Sequence, residues 1–374
     1  MSVFIERQGT GSLKYDGVEA KFGATYPDII SMWIADMDVA LPPAIQNTVN
    51  HHIGSPAVGY QSVPVAPAVV HWLAKSGTYI APEWVVPCNG VLSTIFLSVS
   101  LYSEPDSKVA VIAPTYSPLY DAVRDSGRNL QVAPTSLNDN GEWSLDVTAI
   151  DPQSSILLMC NPQNPTGHVW RPDQLAAIAD YCKQHSIMII CDEIHADFVF
   201  EQPFTSFVNA SINSTEHIIV LRSASKSFNL AGIDNAAYAV CANKHLRDVL
   251  SNALNRRHQV PSPLACRVLN TAYGRCDDWF FEVLSAVDAN RTLLINARSK
   301  FPETLRLYVP PGTYFALLDA RMLSENPADT LLHDYHLALG SGDPEFAPGF
   351  FRLNLATSTE NIEALIARLV ICSE

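Results

Sequence analysis

In the segment Arg222-Ser223-Ala224-Ser225-Lys226-Ser227-Phe228-Asn229, a single lysine stands among small hydroxyl residues, just beyond the apolar, β-branched run His217-Ile218-Ile219-Val220-Leu221. Such a run reads as an inner strand of a parallel sheet, and the loop past its carboxyl end is where open α/β sheets place ligands. An ammonium there, its pKa lowered by desolvation or cationic neighbours, is a nucleophile toward an aldehyde, and the hydroxyls of Ser223 and Ser225 can hold a phosphate. Taken alone, the segment reads more readily as a solvated lysine in a serine-rich loop.

Three further strand ends carry polar groups of matching chemistry. Ile187-Met188-Ile189-Ile190-Cys191 stops at Asp192-Glu193-Ile194-His195-Ala196-Asp197, and a carboxylate at Asp192 can either pair with a protonated heteroaromatic nitrogen or cap a turn. Ser155 to Cys160 runs into Asn161-Pro162-Gln163-Asn164-Pro165-Thr166-Gly167. Its two Asn-Pro steps predict an extended loop that holds amides in one orientation, so Asn164 can donate to a phenolate oxygen. Asn89-Gly90-Val91-Leu92-Ser93-Thr94 lies between a strand and a helix, where free N–H groups and the helix dipole favour a phosphate. Tyr116, after Pro114-Thr115, can stack on a planar ligand or sit in the core.

The elements that must position these groups alternate. Strands are expected at Trp84 to Pro87, Lys108 to Ala113, Asn129 to Ala133, Ser155 to Cys160, Ile187 to Cys191, His217 to Leu221 and Ala236 to Cys241. Helices are expected at Val91 to Ser103, Tyr116 to Ser126 and Pro172 to His185. That alternation predicts an α/β fold with a mostly parallel seven-stranded sheet. Before it, Pro42-Pro43 open a helix and a second runs from Pro64 to Lys75, closed by Gly77. After it come helical patterns at Lys244 to Arg257 and Asp277 to Lys300, and strands at Leu305 to Val309 and Tyr314 to Asp319. A helix around Ala328 to Leu339, a strand at Phe351 to Leu355 and a helix at Thr359 to Ile371 complete a smaller α+β domain. The expected division is an amino-terminal segment, 1–50, packing with a small domain, 276–374, and a large domain, 51–275.

The length of 374 residues, with 48% hydrophobic and 17% charged residues, suits a large folded chain. A net charge of -14 without a basic block argues against nucleic acid or a membrane surface as partner. No signal-like or membrane-spanning run is visible, which predicts the cytoplasm. Eight cysteines without a Cys-x-x-Cys pair indicate neither a disulfide framework nor a zinc site, and no metal is expected.

Asn161 to Gly167, Asp192 and Ser223-x-Ser225-Lys226 together resemble, in order and separation, the fold-type I pyridoxal-phosphate enzymes of the aspartate aminotransferase superfamily, over nearly the whole chain. Gly9-Thr10-Gly11-Ser12-Leu13-Lys14-Tyr15-Asp16, Met32-Trp33-Ile34-Ala35-Asp36-Met37-Asp38, Asp192 to Asp197 and Ser225 to Asn229 resemble its MalY/PatB branch, mainly cystathionine β-lyases and related C–S lyases. The resemblance implies a pyridoxal 5'-phosphate cofactor. It makes Lys226 the Schiff-base lysine, Asp192 the partner of the ring nitrogen, Asn164 a contact of the ring oxygen and Tyr116 the stacking ring. It also sets Gly90, Val91, Leu92, Ser223 and Ser225 around the phosphate. Tyr60, in Gly59-Tyr60, would reach the cofactor of a neighbouring subunit in a homodimer with shared active sites. Arg352, in Phe351-Arg352-Leu353-Asn354, would grip the substrate carboxylate instead of making a surface ion pair. His195, where many aminotransferases carry a tyrosine, would contact the cofactor or pack behind it. Two departures stand out: Asp234 occupies the place of a phosphate-binding arginine, and Cys88-Asn89-Gly90 replaces the Gly-Pro or Pro-Gly common in the branch. The expected activity is α,β-elimination on L-cystathionine or another sulfur-containing amino acid. An aminotransferase is the alternative, and a regulatory binding protein that retains the cofactor is a second.

Overall fold

The computed structural model describes residues 3–138, 141–210, 215–233 and 236–371. Seven strands form the large sheet: β1 (Val85–Cys88), β2 (Lys108–Ala113), β3 (Asn129–Pro134), β4 (Ile156–Cys160), β5 (Met188–Asp192), β6 (Ile218–Ser223) and β7 (Ala237–Val240). Their order across the sheet is β1-β7-β6-β5-β4-β2-β3. Every pairing from β6 to β3 is parallel, while β7 runs antiparallel to both β6 and β1. The expected mostly parallel, seven-stranded sheet is therefore present.

The strands are apolar throughout because both faces are covered. Successive side chains point to opposite faces, so Leu157 and Met159 join a core that includes Leu175 and Ile178 of the helix Pro172–Gln184. Ile156 and Leu158 join a second core, with Ile95 and Val99 of α1 (Val91–Tyr102). The first core continues without a break through Met32, Met37, Phe228 and Tyr314 to Leu353. One apolar mass thus holds the amino-terminal segment, the large sheet and the carboxyl-terminal part against each other.

The smaller sheet is antiparallel, in the order β8 (Arg306–Tyr308), β9 (Phe315–Asp319), β11 (Ala347–Asn354), β10 (Gly340–Asp343). Here the structure departs from expectation. The helix expected around Ala328 to Leu339 is Pro327–His333, because Leu337 and Ala338 pair in parallel with Ile30 and Ser31. His336 turns the chain between them at φ 51. A helix at Pro263–Arg275, capped by Ser262, and strand β10 were not anticipated.

Among the described residues no helix is long and apolar enough to cross a membrane. Seven cysteines are buried and form no disulfide among the described residues, and Cys372 and Asp234 lie outside the described residues.

Candidate active site

The carboxyl ends of β2, β4, β5 and β6 open into a cleft of about 830 Å³. Eleven of the twelve candidate residues line it: Gly90, Val91, Leu92, Tyr116, Asn164, Asp192, His195, Ser223, Ser225, Lys226 and Arg352. The exception is Tyr60, which projects fully into solvent with a relative exposure of 110%. Register explains much of the convergence. Cys160 pairs with Asp192 and Asp192 with Leu221, so the Asn-Pro loop, the aspartate and the lysine turn leave the sheet side by side.

Lys226 sits in a four-residue helix, Ala224–Ser227, immediately after β6. Its Nζ donates to the carbonyl of Ala35 at 2.9 Å. Desolvation by burial, helped by the Arg352 charge, lowers its pKa to about 8. Asp192 is 8% exposed and accepts from the backbone N–H of Ile194 at 2.9 Å. It makes no ion pair among the described residues, and burial pushes its carboxyl up to about 6, against the opposing pull of Lys226.

Arg352 leaves β11 opposite Gly340 and Leu317. Its guanidinium carbon lies 5.0 Å from the centre of the Phe315 ring, and one terminal nitrogen donates to Asn164 Oδ1 at 3.2 Å. The buried Nε has no hydrogen-bond partner. No carboxylate pairs with it among the described residues, so the surface ion pair considered from sequence is not what the structure holds. A guanidinium fork with an unused donor is suited to an incoming carboxylate.

His195 is buried beside Tyr314 and Phe315, with ring centres at 5.5 and 5.6 Å, and its Nδ1 is unpartnered. Burial, with the Lys226 and Arg352 charges, holds its pKa well below the ordinary range, so the ring is neutral.

At the other end, α1 begins at Val91 with no side-chain cap on Gly90, leaving first-turn N–H groups at the cleft wall. A Cβ on Gly90 would approach Ser93 Oγ to 3.0 Å. The two serines differ. Ser223 donates to the Ala236 carbonyl and accepts from the Ser225 N–H, so its single proton is committed, whereas the Ser225 hydroxyl has no protein partner among the described residues.

Behind the cleft lies a charge network that sequence reasoning missed. Arg222 pairs with Asp197 at 2.6 Å. Asp197 also accepts from Trp72 Nε1 at 3.1 Å and from the Ser227 hydroxyl. Glu193 accepts from the Phe207 N–H at 2.7 Å and from Ser206. The Asp197 bonds tie the turn after β5 to the turn that carries Lys226, and the Glu193 bonds tie it to the segment at Ser206–Phe207. Their signal was the acidic cluster 192–197 facing the lone Arg222.

The donor set fits pyridoxal phosphate: a buried carboxylate lacking a cation, an uncapped helix start beside a free hydroxyl, and a lysine of lowered pKa. A seven-stranded, mostly parallel sheet with these groups at its carboxyl edge is the large-domain architecture of fold-type I pyridoxal-phosphate enzymes. The chain belongs to the class I and II aminotransferase family, whose model matches residues 28–369. It is 30% identical to the protein MalY of Escherichia coli K12, with 99% of this chain and 97% of that protein covered. To the cystathionine beta-lyase PatB of Bacillus subtilis 168 it is 26% identical, covering 97% of each chain. Cystalysin from Treponema denticola, a crystal structure containing pyridoxal 5'-phosphate, superposes with a TM-score of 0.92 at 23% identity, over 99% of this chain and 97% of that one.

Proposed function

We propose that the chain is a pyridoxal-phosphate-dependent C–S β-lyase that cleaves L-cystathionine or related cysteine S-conjugates to a thiol, pyruvate and ammonia. One observation carries the reading: an arginine without a carboxylate partner and a lysine of lowered pKa share a cleft with an aspartate that lacks a cation. An α-amino acid and a protonated ring satisfy these groups together. The choice of elimination rests on the names of the relatives, among them the lyase PatB.

Bound in the cleft, the cofactor supplies an electron sink that makes the substrate Cα–H acidic. Asp192 keeps a proton on the ring nitrogen. Asn164, whose Oδ1 faces Arg352, has its amide N–H groups left for the ring oxygen, and Tyr116 covers one face of the ring. The first-turn N–H groups of α1 and the Ser225 hydroxyl hold the phosphate. Arg352 takes the α-carboxylate and orients the substrate. Lys226 Nζ accepts the Cα proton, and a Cα–Cβ double bond forms as the Cβ–S bond breaks. The sulfur leaves with the bonding pair and takes up a proton as the thiol, and water hydrolyses the released aminoacrylate to pyruvate and ammonia.

The working unit is a cytoplasmic homodimer in which Tyr60 reaches the partner's cleft. Its fully exposed ring and seven buried cysteines outside any disulfide among the described residues support this. The large domain spans 51–275, and the amino-terminal segment belongs with the small domain, as the Ile30–Leu337 pairing suggests.

The test is incubation of the purified holoenzyme with L-cystathionine, following pyruvate and free thiol. Pyruvate and thiol in equal amounts are expected. If neither forms while an added 2-oxo acid accepts an amino group, the protein is an aminotransferase.

A further inference from the structure

The chain carries a net charge of -14, yet the charged side chains lining its cleft are three cations, Lys21, Lys226 and Arg352, against the single carboxylate of Asp192. Two of the cations have tasks inside the cleft: Lys226 meets the Ala35 carbonyl and Arg352 meets Asn164. Lys21 has none. It stands exposed on the short helix Val18–Phe22, with its Nζ 6.0 Å from the centre of the Trp33 ring. Its Nζ makes no hydrogen bond or ion pair among the described residues, while its backbone N–H donates to the Gly17 carbonyl.

The wall under Lys21 is rigid. Trp33 Nε1 donates to the Lys14 carbonyl at 3.0 Å, and Phe22 packs edge-on against the indole at 5.8 Å. Trp33 lies two residues before Ala35, which receives Lys226. A Cβ on Gly340 would come to 2.5 Å from the Trp33 carbonyl oxygen and 3.4 Å from an Arg352 terminal nitrogen. The Trp33 backbone and Arg352 are therefore neighbours across Gly340, and Lys21, Trp33 and Arg352 line the same cleft. With Arg352 and Lys226 engaged, Lys21 is the cation of the cleft lining left for a second anionic group.

Building on the lyase reading above, we propose that Lys21 is a specificity residue that binds a carboxylate on the leaving group. The preferred substrates are then cysteine thioethers whose sulfur substituent ends in a carboxylate, with Arg352 and Lys21 holding the two anionic ends. Lys21 takes no part in the bond-breaking step.

The test separates binding from turnover. By calorimetry, the wild-type holoenzyme is expected to bind 3,3'-thiodipropanoate about three- to tenfold more tightly than 3-(ethylthio)propanoate, the range for a partly solvated ion pair. Lys21→Met, which keeps an apolar stem over Trp33, is expected to erase all but the statistical preference for a symmetric ligand, and Lys21→Arg to retain it. A preference beyond that statistical one that survives in Lys21→Met, or its absence from the wild type, overturns the proposal. In turnover, the ratio of kcat/KM for S-(2-carboxyethyl)-L-cysteine over S-ethyl-L-cysteine should fall by the same factor in Lys21→Met, through KM. If thiol is released but the ratio is unchanged, the role of Lys21 fails and the lyase reading stands. If no thiol is released while the binding preference holds, the lyase reading fails and Lys21 remains a carboxylate contact.

Discussion

Asn229 and Met37 exchange two hydrogen bonds: the Met37 N–H donates to Asn229 Oδ1 at 3.0 Å, and Asn229 Nδ2 donates to the Met37 carbonyl at 2.8 Å. Asn229 stands three residues after Lys226, and Met37 two after Ala35, so this pair fastens the segment that Lys226 touches to the turn that carries Lys226. A second asparagine works from the arginine side. Asn354, two residues after Arg352, donates to the carbonyls of Ile34 and Asp36 at 2.9 and 2.8 Å. The backbone of residues 34–37 is thus held between the lysine and arginine elements.

Asn229 has φ 54, a left-handed conformation that glycine adopts without strain. Asn229→Gly therefore removes the two bonds while sparing the backbone. It is expected to lower the unfolding free energy by about 1–3 kcal/mol, read by urea denaturation, with a weaker substrate KM. A variant as stable as wild type would mean that the clamp contributes nothing.

Arg352 contrasts function with stability. Its guanidinium has no carboxylate partner among the described residues and one donor wholly unsatisfied, so removing it sacrifices no ion pair in the free protein. Arg352→Met should leave the unfolding free energy within about 1 kcal/mol of wild type. It should cut kcat/KM by about 100-fold or more, as expected when a bidentate charge-assisted contact is lost. Steady-state kinetics beside thermal melts check both halves, and a large stability loss with normal kinetics would reverse the assignment.

Asp192 gives a pH signature. Its folded-state pKa, raised to about 6 by burial, exceeds that of an ordinary aspartate. Its contribution to the stability of the cofactor-free protein is therefore complete below about pH 4 and disappears as the pH rises through 6. Between pH 5 and 7.5 the cofactor-free wild type should lose about 1.4 kcal/mol relative to Asp192→Asn. A ring cation beside the carboxylate lowers its pKa again, so the loaded protein should lack this extra slope. Urea titrations at the two pH values decide it: parallel slopes for cofactor-free wild type and variant would refute the raised pKa, and an extra slope that persists in the loaded wild type would refute the pairing.

How far the sequence predicts these arrangements depends on whether the signal is local. The inner strands are legible because both faces are buried, which leaves runs such as Ile187 to Cys191 without polar residues. The polar groups that end them are legible for the same reason, since Asp192 and Lys226 interrupt apolar strands at one edge. Gly340–Asp343 is assigned no element from sequence, and only its hairpin partner β11 makes it a strand. The expected helix to Leu339 fails because pairing with Ile30–Ser31 outcompetes local propensity. The Ala35 carbonyl has no sequence signal at all, being a backbone atom that any residue would present. Asn229 and Asn354 stand inside motifs read for their lysine and arginine, and their contacts 192 and 320 or fewer residues away are visible only in three dimensions.

Lys226 itself makes the sharpest case. With its pKa lowered to about 8, roughly 10% of the side chain is neutral at pH 7, against roughly 0.03% for an unperturbed lysine. Capture of an aldehyde follows that neutral fraction. The rate of pyridoxal phosphate uptake by the cofactor-free protein, trapped with borohydride and located by mass spectrometry, should climb from about pH 6 through a midpoint near 8 and level off about one pH unit higher. The label should sit on Lys226 and be absent there in Lys226→Ala. Burial is the main cause of the lowered pKa and the Arg352 charge the next. Removing that charge in Arg352→Met relieves the cost of protonation, raises the lysine pKa and moves the midpoint of the profile to higher pH. A midpoint near 10 in the wild type, or a label on another lysine, would show that the cleft does not activate Lys226.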